Sequence, residues 1–229
     1  MANIDYFLKK YSLQLDKLKK YASMIHEQNM VMNISGFKTE QEIFEQGIIA
    51  SLLTFEFAQN SLKKEFIGKK ILDIGAGAGF PSVPLLIALD NSFELTIIES
   101  ISKRCLFLEK VKKEFNLNLK IINSRAEEVI DLKEYFDFIT ARALSSTKNI
   151  YLMSNHLLKQ NGEWILPKGR SFLEEVQEFK DKFLKEANNI NFYPYFDFTQ
   201  NENSFLVTVS KPKPTPRGWP WSWTKIKNY

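Results

Sequence analysis

The sequence predicts an α/β fold: a mostly parallel seven-stranded sheet preceded by an N-terminal helical cap. Three observations predict it. From residue 69 onward, short apolar runs alternate with segments of helical period, the pattern of parallel strands joined by right-handed crossovers. The apolar run Ile71 to Ile74 passes straight into Gly75-Ala76-Gly77-Ala78-Gly79, which packs three of the chain's nine glycines into five residues. Residues 1–60, in contrast, carry helical spacing and no strand pattern. A length of 229 residues suits one α/β domain with an added module. The expected division is a helical cap at 1–60, the sheet domain at 61–210 and a tail at 211–229.

In the cap, Leu15, Leu18, Ala22 and Ile25 keep a 3–4 spacing with Lys and Glu between them, which predicts one amphipathic helix. Asn33-Ile34-Ser35-Gly36 ends it. Thr39 with Glu42 three residues on reads as a capping box, opening a second helix through Ile43, Phe44, Ile48, Leu52 and Phe55. The sheet domain then reads as strand 71–74, helix 81–89, strand 95–99, helix 103–115 and strand 120–122. A short helix near Glu127, strand 136–141, a helix opened by Ser145, strand 163–167 and a long amphipathic helix over 171–187 follow. The last strands, Phe192–Phe196 and Ser204–Val209, are close enough in sequence to pair antiparallel at an edge. Lys211-Pro212-Lys213-Pro214-Thr215-Pro216 is excluded from helix and central strand, and starts an extended tail.

Composition removes several function classes. The apolar fraction of 44% is that of a packed soluble chain, no apolar run has membrane-spanning length, and the first residues lack a basic-then-apolar leader pattern. The expectation is a cytoplasmic monomer. One cysteine, Cys105, excludes an internal disulfide and a Cys-rich zinc site, and His26 and His156 have no metal-ligand spacing, so no metal is expected. Cys105 also lies in a helical context poor for a covalent nucleophile. The net charge of +4 is mild, but Lys211 to Tyr229 holds five basic residues and no acid.

In a doubly wound sheet, ligands sit outside the carboxyl ends of the strands. Four such ends carry suggestive groups. The loop after the first strand has Gly-x-Gly-x-Gly spacing with Asp73 before it, unlike the Gly-x-Gly-x-x-Gly of a dinucleotide site. It looks like the cofactor loop of an S-adenosylmethionine methyltransferase, with backbone groups placed to hold the methionine part. Glu99 ends the second strand, where an acid can accept both hydroxyls of a ribose. Arg125-Ala126-Glu127 follows the third strand, where an amide and a carboxylate can read an adenine edge. Ala141-Arg142-Ala143 ends the fourth, on the side of a methyl acceptor. Each charge taken singly is also explained by a surface ion pair; their placement at consecutive strand ends favours a site. No Asn/Asp-Pro-Pro-Tyr element and no obvious base or nucleophile is present, which suits an acceptor already nucleophilic, such as guanine N7.

With those residues in view, the chain resembles the bacterial 16S ribosomal RNA guanine-N7 methyltransferases, also called the glucose-inhibited division protein B family. The resemblance rests on Asn33-Ile34-Ser35, Leu72 to Leu85, Glu99 to Leu108, Ser124 to Glu128, Ala141-Arg142-Ala143 and Lys168-Gly169. It implies a Rossmann-like class I fold and S-adenosyl-L-methionine as cofactor. The substrate it implies is 16S rRNA in the small ribosomal subunit or an assembly intermediate. By the same resemblance Gly75, Phe80, Ala126, Glu127 and Arg142 contact the cofactor, with Asp73, Gly77, Gly79, Glu99 and Ser100 forming the same pocket. Catalysis is expected by positioning, with Arg142 on the acceptor side. Three departures stand out: Gln46 to Ser51 lacks the family's His and Asp, Ser82 replaces a glycine, and the tail reads Pro216-Arg217-Gly218-Trp219-Pro220.

The expected RNA-binding set is Lys103, Arg104, Lys168, Arg217, Trp219, Trp221 and Trp223. Cations interleaved with tryptophans suit stacking on unpaired bases, and the same rings could instead pack back onto the domain. Both readings of the tail are open at this point. The alternatives for the whole chain are a class I methyltransferase on another RNA or a small molecule, or a catalytically weakened rRNA-binding assembly factor.

Overall fold

The computed structural model describes residues 4–195 and 204–229. Seven strands form one sheet: β1 Lys70–Ile74, β2 Glu94–Ile98, β3 Leu119–Ile122, β4 Phe136–Thr140, β5 Leu158–Lys168, β6 Ile190–Tyr195 and β7 Ser204–Ser210. Their order is β3-β2-β1-β4-β5-β7-β6. The first five are parallel, and β7 enters antiparallel between β5 and β6. The order reverses between β1 and β4, which makes the carboxyl end of β1 the topological switch point.

Period-two alternation sends successive side chains to opposite faces. Ile71, Leu95 and Ile97 join one core; Leu72, Ile74 and Ile98 join the other. Both faces are covered, so the central strands read as continuous apolar runs. The first core is closed by α2 (Leu15–Val31), α4 (Ala50–Leu62), α5 (Ser82–Ala88) and α6 (Ser102–Phe115). The helical segment at 1–60 thus shares its core with one face of the sheet. The second core is closed by α7 (Thr147–Ser154), α8 (Phe172–Lys182) and α9 (Trp223–Lys227), so the tail lies on the opposite face.

Several elements differ from expectation. A first helix, α1 (Ile4–Lys10), precedes the expected one and buries Phe7. The second cap helix starts as expected, with Thr39 Oγ1 accepting from Glu42 N at 3.1 Å in the short α3 (Glu40–Glu42). Glu42 returns its bond to Lys38 N rather than to Thr39 N. Beyond it the helix widens into a π-helix over Ile43–Ile49 before α4. Strand β5 begins five residues early, because Asn161 (φ 64°) and Gly162 bulge the polar stretch back into the sheet. Helix α8 ends at Lys182, short of the expected 187, and Phe183 turns in against Tyr151. Phe196, the expected end of one edge strand, lies outside the described residues.

Candidate functional site

The carboxyl ends of β1 to β4 meet at one cavity of about 230 Å³. β1 contributes Ile74 and Gly75, β2 contributes Ile98 and Ser100, and the turn after β3 contributes Ser124 to Glu127. The loop after β4 adds Leu144 and Ser145, and α7 and the tail add Met153 and Trp223. Of the residues expected to hold the cofactor, the structure gathers Gly75, Ser100, Ala126 and Glu127 around this space. Asp73, Gly77, Gly79, Phe80, Glu99 and Arg142 are not among the residues that line it.

Several of those six hold the segments around it. Glu99 is buried (2% exposed); its Oε2 accepts from Gly77 N at 3.1 Å and its Oε1 from Ile101 N at 2.9 Å. Arg104 Nη1 stands 3.8 Å from the same carboxylate. One acid therefore ties the glycine loop to the end of β2. At the loop's far end Tyr21 donates its hydroxyl to Ala78 O. A Cβ at Gly79 (φ 108°) would fall 2.4 Å from that hydroxyl, so the loop closes on α2 only with glycine there. Gly75 (φ 66°) faces the cavity, where a Cβ would meet Leu144 Cδ1 at 2.6 Å. Asn29 holds the neighbouring turn, accepting from Ile34 N and Ser35 N at 3.0 and 3.1 Å.

Asp73 is fully buried beneath the loop. Its Oδ2 accepts from Ser82 N at 3.2 Å and Ser82 Oγ at 2.5 Å, while Oδ1 has no partner. Ser82, a departure from the family pattern, thus supplies a donor that glycine lacks. Burial pushes the Asp73 carboxyl up to about 8, the Ser82 bonds opposing and the Glu99 charge adding to the rise. The sign follows from linkage: the folded chain binds the proton more tightly than the unfolded chain. The contribution of this carboxyl is fully present below about pH 4 and is lost as pH rises from about 4 to 8, at a limiting slope of about 1.4 kcal/mol per pH unit. Denaturation midpoints measured across that range should decline for the native chain and decline less for Asp73→Asn. Parallel curves would remove Asp73 as the source.

Arg142 ends β4 and turns towards the π-helix. Its Nη2 donates to Gln46 O at 2.8 Å, and Nη1 lies 3.4 Å from both Gly47 O and Ser51 Oγ. Such π-helical segments concentrate at functional sites, and Gly47 O there also accepts from Ala50 N and Ser51 Oγ. Gly47 also makes room for Phe80, whose Cζ would lie 2.5 Å from a Cβ there. No sequence signal marked the π-helix, since glycine inside a helical pattern usually reads as a mild defect.

The expected RNA-binding residues separate into groups. Lys103 and Arg217 are exposed. Arg104 pairs with Glu99, and Lys168 is half-buried, donating to Ser145 O at 2.9 Å and pairing with Glu175 at 2.7 Å. Trp219 sits edge-on to Tyr151 at 5.7 Å and Trp221 lies 5.4 Å from Trp219. The tail rings pack on the domain and stay half-exposed. Cys105 is buried with Sγ 3.3 Å from Glu99 O, and no cluster of metal-ligating side chains occurs among the described residues. No helix among the described residues is long and apolar enough to cross a membrane.

The family model described as GidB, rRNA small subunit methyltransferase G, matches residues 14–203. A curated protein of Mycoplasmopsis pulmonis named ribosomal RNA small subunit methyltransferase G is 39% identical over 175 residues, 74% of this chain and 73% of that protein. Its namesake in Mycoplasma capricolum is 38% identical over 171 residues, 74% and 71% of the two chains. Among solved structures, an O-methyltransferase from Bacillus cereus in complex with SAH superposes with a TM-score of 0.58 at 14% identity. It covers 84% of this chain and 91% of that one. A 16S rRNA N2 methyltransferase of T. thermophilus, in complex with AdoMet and guanosine, gives 0.55 at 21%, covering 71% and 43%. At these identities the structural likeness establishes the fold, a class I methyltransferase sheet.

Proposed function

The chain belongs to the rRNA small subunit methyltransferase G family, and from that premise we propose that it methylates a guanine N7 in small-subunit (16S) ribosomal RNA, using S-adenosyl-L-methionine. The observation that carries this reading is the cavity at the switch point, where Gly75, Ser100, Ala126 and Glu127 converge from three strand ends. Its residues fit the cofactor: apolar Ile98 and Met153 for a flat base, Ser100 and the Glu127 carboxylate for polar edges, and a glycine wall that a Cβ would fill.

The bound cofactor supplies an electrophilic methyl group on a sulfonium. The chain's residues hold and orient. Glu127, with Ala126, reads the adenine edge; Glu99 holds the glycine loop and keeps lone pairs for the ribose, since a carboxylate can accept about four bonds. Asp73, Gly77, Gly79 and Phe80 fix the loop. Arg142, anchored to the π-helix carbonyls, sets the acceptor side. Exposed Lys103 is a cation free to meet rRNA phosphate. Guanine N7 has a lone pair and no proton to lose, so alignment replaces base catalysis.

The test is methyl transfer from labelled cofactor to small-subunit rRNA, followed by mapping of the modified guanine. The single-turnover rate at saturation should lack a steep rise through the range of a general base. Such a rise would point to an amine or hydroxyl acceptor. Gln46 and Ala50, where the resemblance leads one to expect His and Asp, keep a second reading, a weakened assembly factor, and rRNA binding without transfer would favour it.

A further inference from the structure

The cavity has one wall that the family match does not include. That match stops at residue 203, yet Trp223 lines the same space as Gly75, Ser100 and Glu127. Its ring lies 4.8 Å from the Arg125 guanidinium, and Arg125 Nε donates to Glu127 Oε1 at 2.8 Å. The tail residue, the cation and the buried carboxylate therefore form one chain of contacts along the cavity rim.

The tail is fixed at both ends. Upstream, Lys211 Nζ is buried and donates to Asn155 O, Leu158 O and Thr215 Oγ1 at 2.9, 2.6 and 2.7 Å. Glu134 Oε1 accepts from Thr215 N at 2.6 Å and pairs with the same lysine. Downstream, Ile226 is 0% exposed in the core beside α7, and Tyr229 stacks on Phe183 at 5.8 Å. Ser222 caps α9, its Oγ accepting from Lys225 N, which places Trp223 at the first position of a helix held by that isoleucine. A ring held from two sides keeps its orientation without ligand.

We propose that Trp223 is an aromatic wall of the adenine subsite, and that the tail thereby serves the cofactor pocket rather than the RNA surface. The inference rests on the reading of the cavity as a cofactor site. An indole face suits a purine, because aromatic stacking is tolerant of the base and strengthens where water is excluded. Arg125, bridging the indole and Glu127, keeps the carboxylate turned to the edge of the same base. The wall also explains why Trp223 differs from Trp219 and Trp221, which pack among aromatic rings and do not reach the cavity.

Calorimetry with S-adenosylmethionine, S-adenosylhomocysteine and adenosine on the full chain tests this. Trp223→Ala and Trp223→Leu should weaken all three ligands by about 5- to 150-fold, the range of one lost stacking contact. Trp223→Phe should restore most of the affinity, and Trp221→Ala should leave it unchanged. If the alanine variant does not fold, the leucine and phenylalanine pair carries the comparison. Unchanged affinity in Trp223→Leu, with native binding intact, overturns the proposal and leaves the cofactor site standing. Tighter binding overturns it too, making the ring a plug. A native chain that binds none of the three ligands overturns the cofactor reading, and this inference with it.

Discussion

Removal of residues 212–229 should lower the melting temperature by about 10 °C, and leave the salt dependence of rRNA binding unchanged. The stability loss comes from named contacts. Ile226 is fully buried, Trp219 packs on Tyr151, and Thr215 satisfies Glu134. Deleting one large buried side chain costs about 3–5 kcal/mol, and a domain of this size loses about 2–4 °C per kcal/mol. Cofactor affinity should fall with stability, since the deletion takes Trp223 from the cavity. A tail that gripped RNA would behave differently: each lost phosphate contact would reduce the salt slope by roughly 0.7–0.9. Both quantities can be measured on one truncated protein. A flattened slope with an unchanged melting temperature would return the tryptophans to the RNA surface.

What was legible in the sequence follows a physical line. The glycine loop, the alternation of strand and helix around it and the strand-end residues depend on local pattern, and local pattern survives in one dimension. Gly75 and Glu127 were readable because a sharp turn demands glycine and because strand ends of a doubly wound sheet face one crevice. Side-chain destinations were not readable. Arg142 could be placed at a strand end, but its guanidinium goes to the carbonyls of Gln46 and Gly47, nearly a hundred residues away in a π-helix. Lys168 looked like a phosphate ligand, but Glu175 and Ser145 O claim it. Trp223 looked like part of a basic aromatic tail; only the docking of Ile226 decides which way its helix faces. Composition reports that cations and rings are present, and long-range packing decides what they touch.

Glu99 carries the other large expected effect. Its carboxylate already accepts from Gly77 N and Ile101 N, so it acts on the glycine loop before any ligand arrives. Glu99→Ala leaves the buried Gly77 N–H and the half-buried Ile101 N–H without their partner, and removes the acceptor proposed for the ribose. Hydrogen bonds to a charged group contribute about 1.5–3 kcal/mol each, so S-adenosylmethionine affinity should fall by about 10- to 150-fold. The loop should loosen as well, since the tie between β1 and β2 at their carboxyl ends is lost. Glu99→Gln separates the two roles. Its carbonyl can accept from one backbone N–H, but its amide nitrogen presents hydrogens to the other, so the loop keeps half its anchor while the charge is gone. Hydrogen exchange at Gly77 and Ile101 reports the anchor, and calorimetry reports the ligand. If exchange quickens in both variants while affinity stays native, Glu99 is a structural tie alone. If affinity falls in the glutamine variant with exchange at Ile101 still slow, the carboxylate meets the cofactor directly.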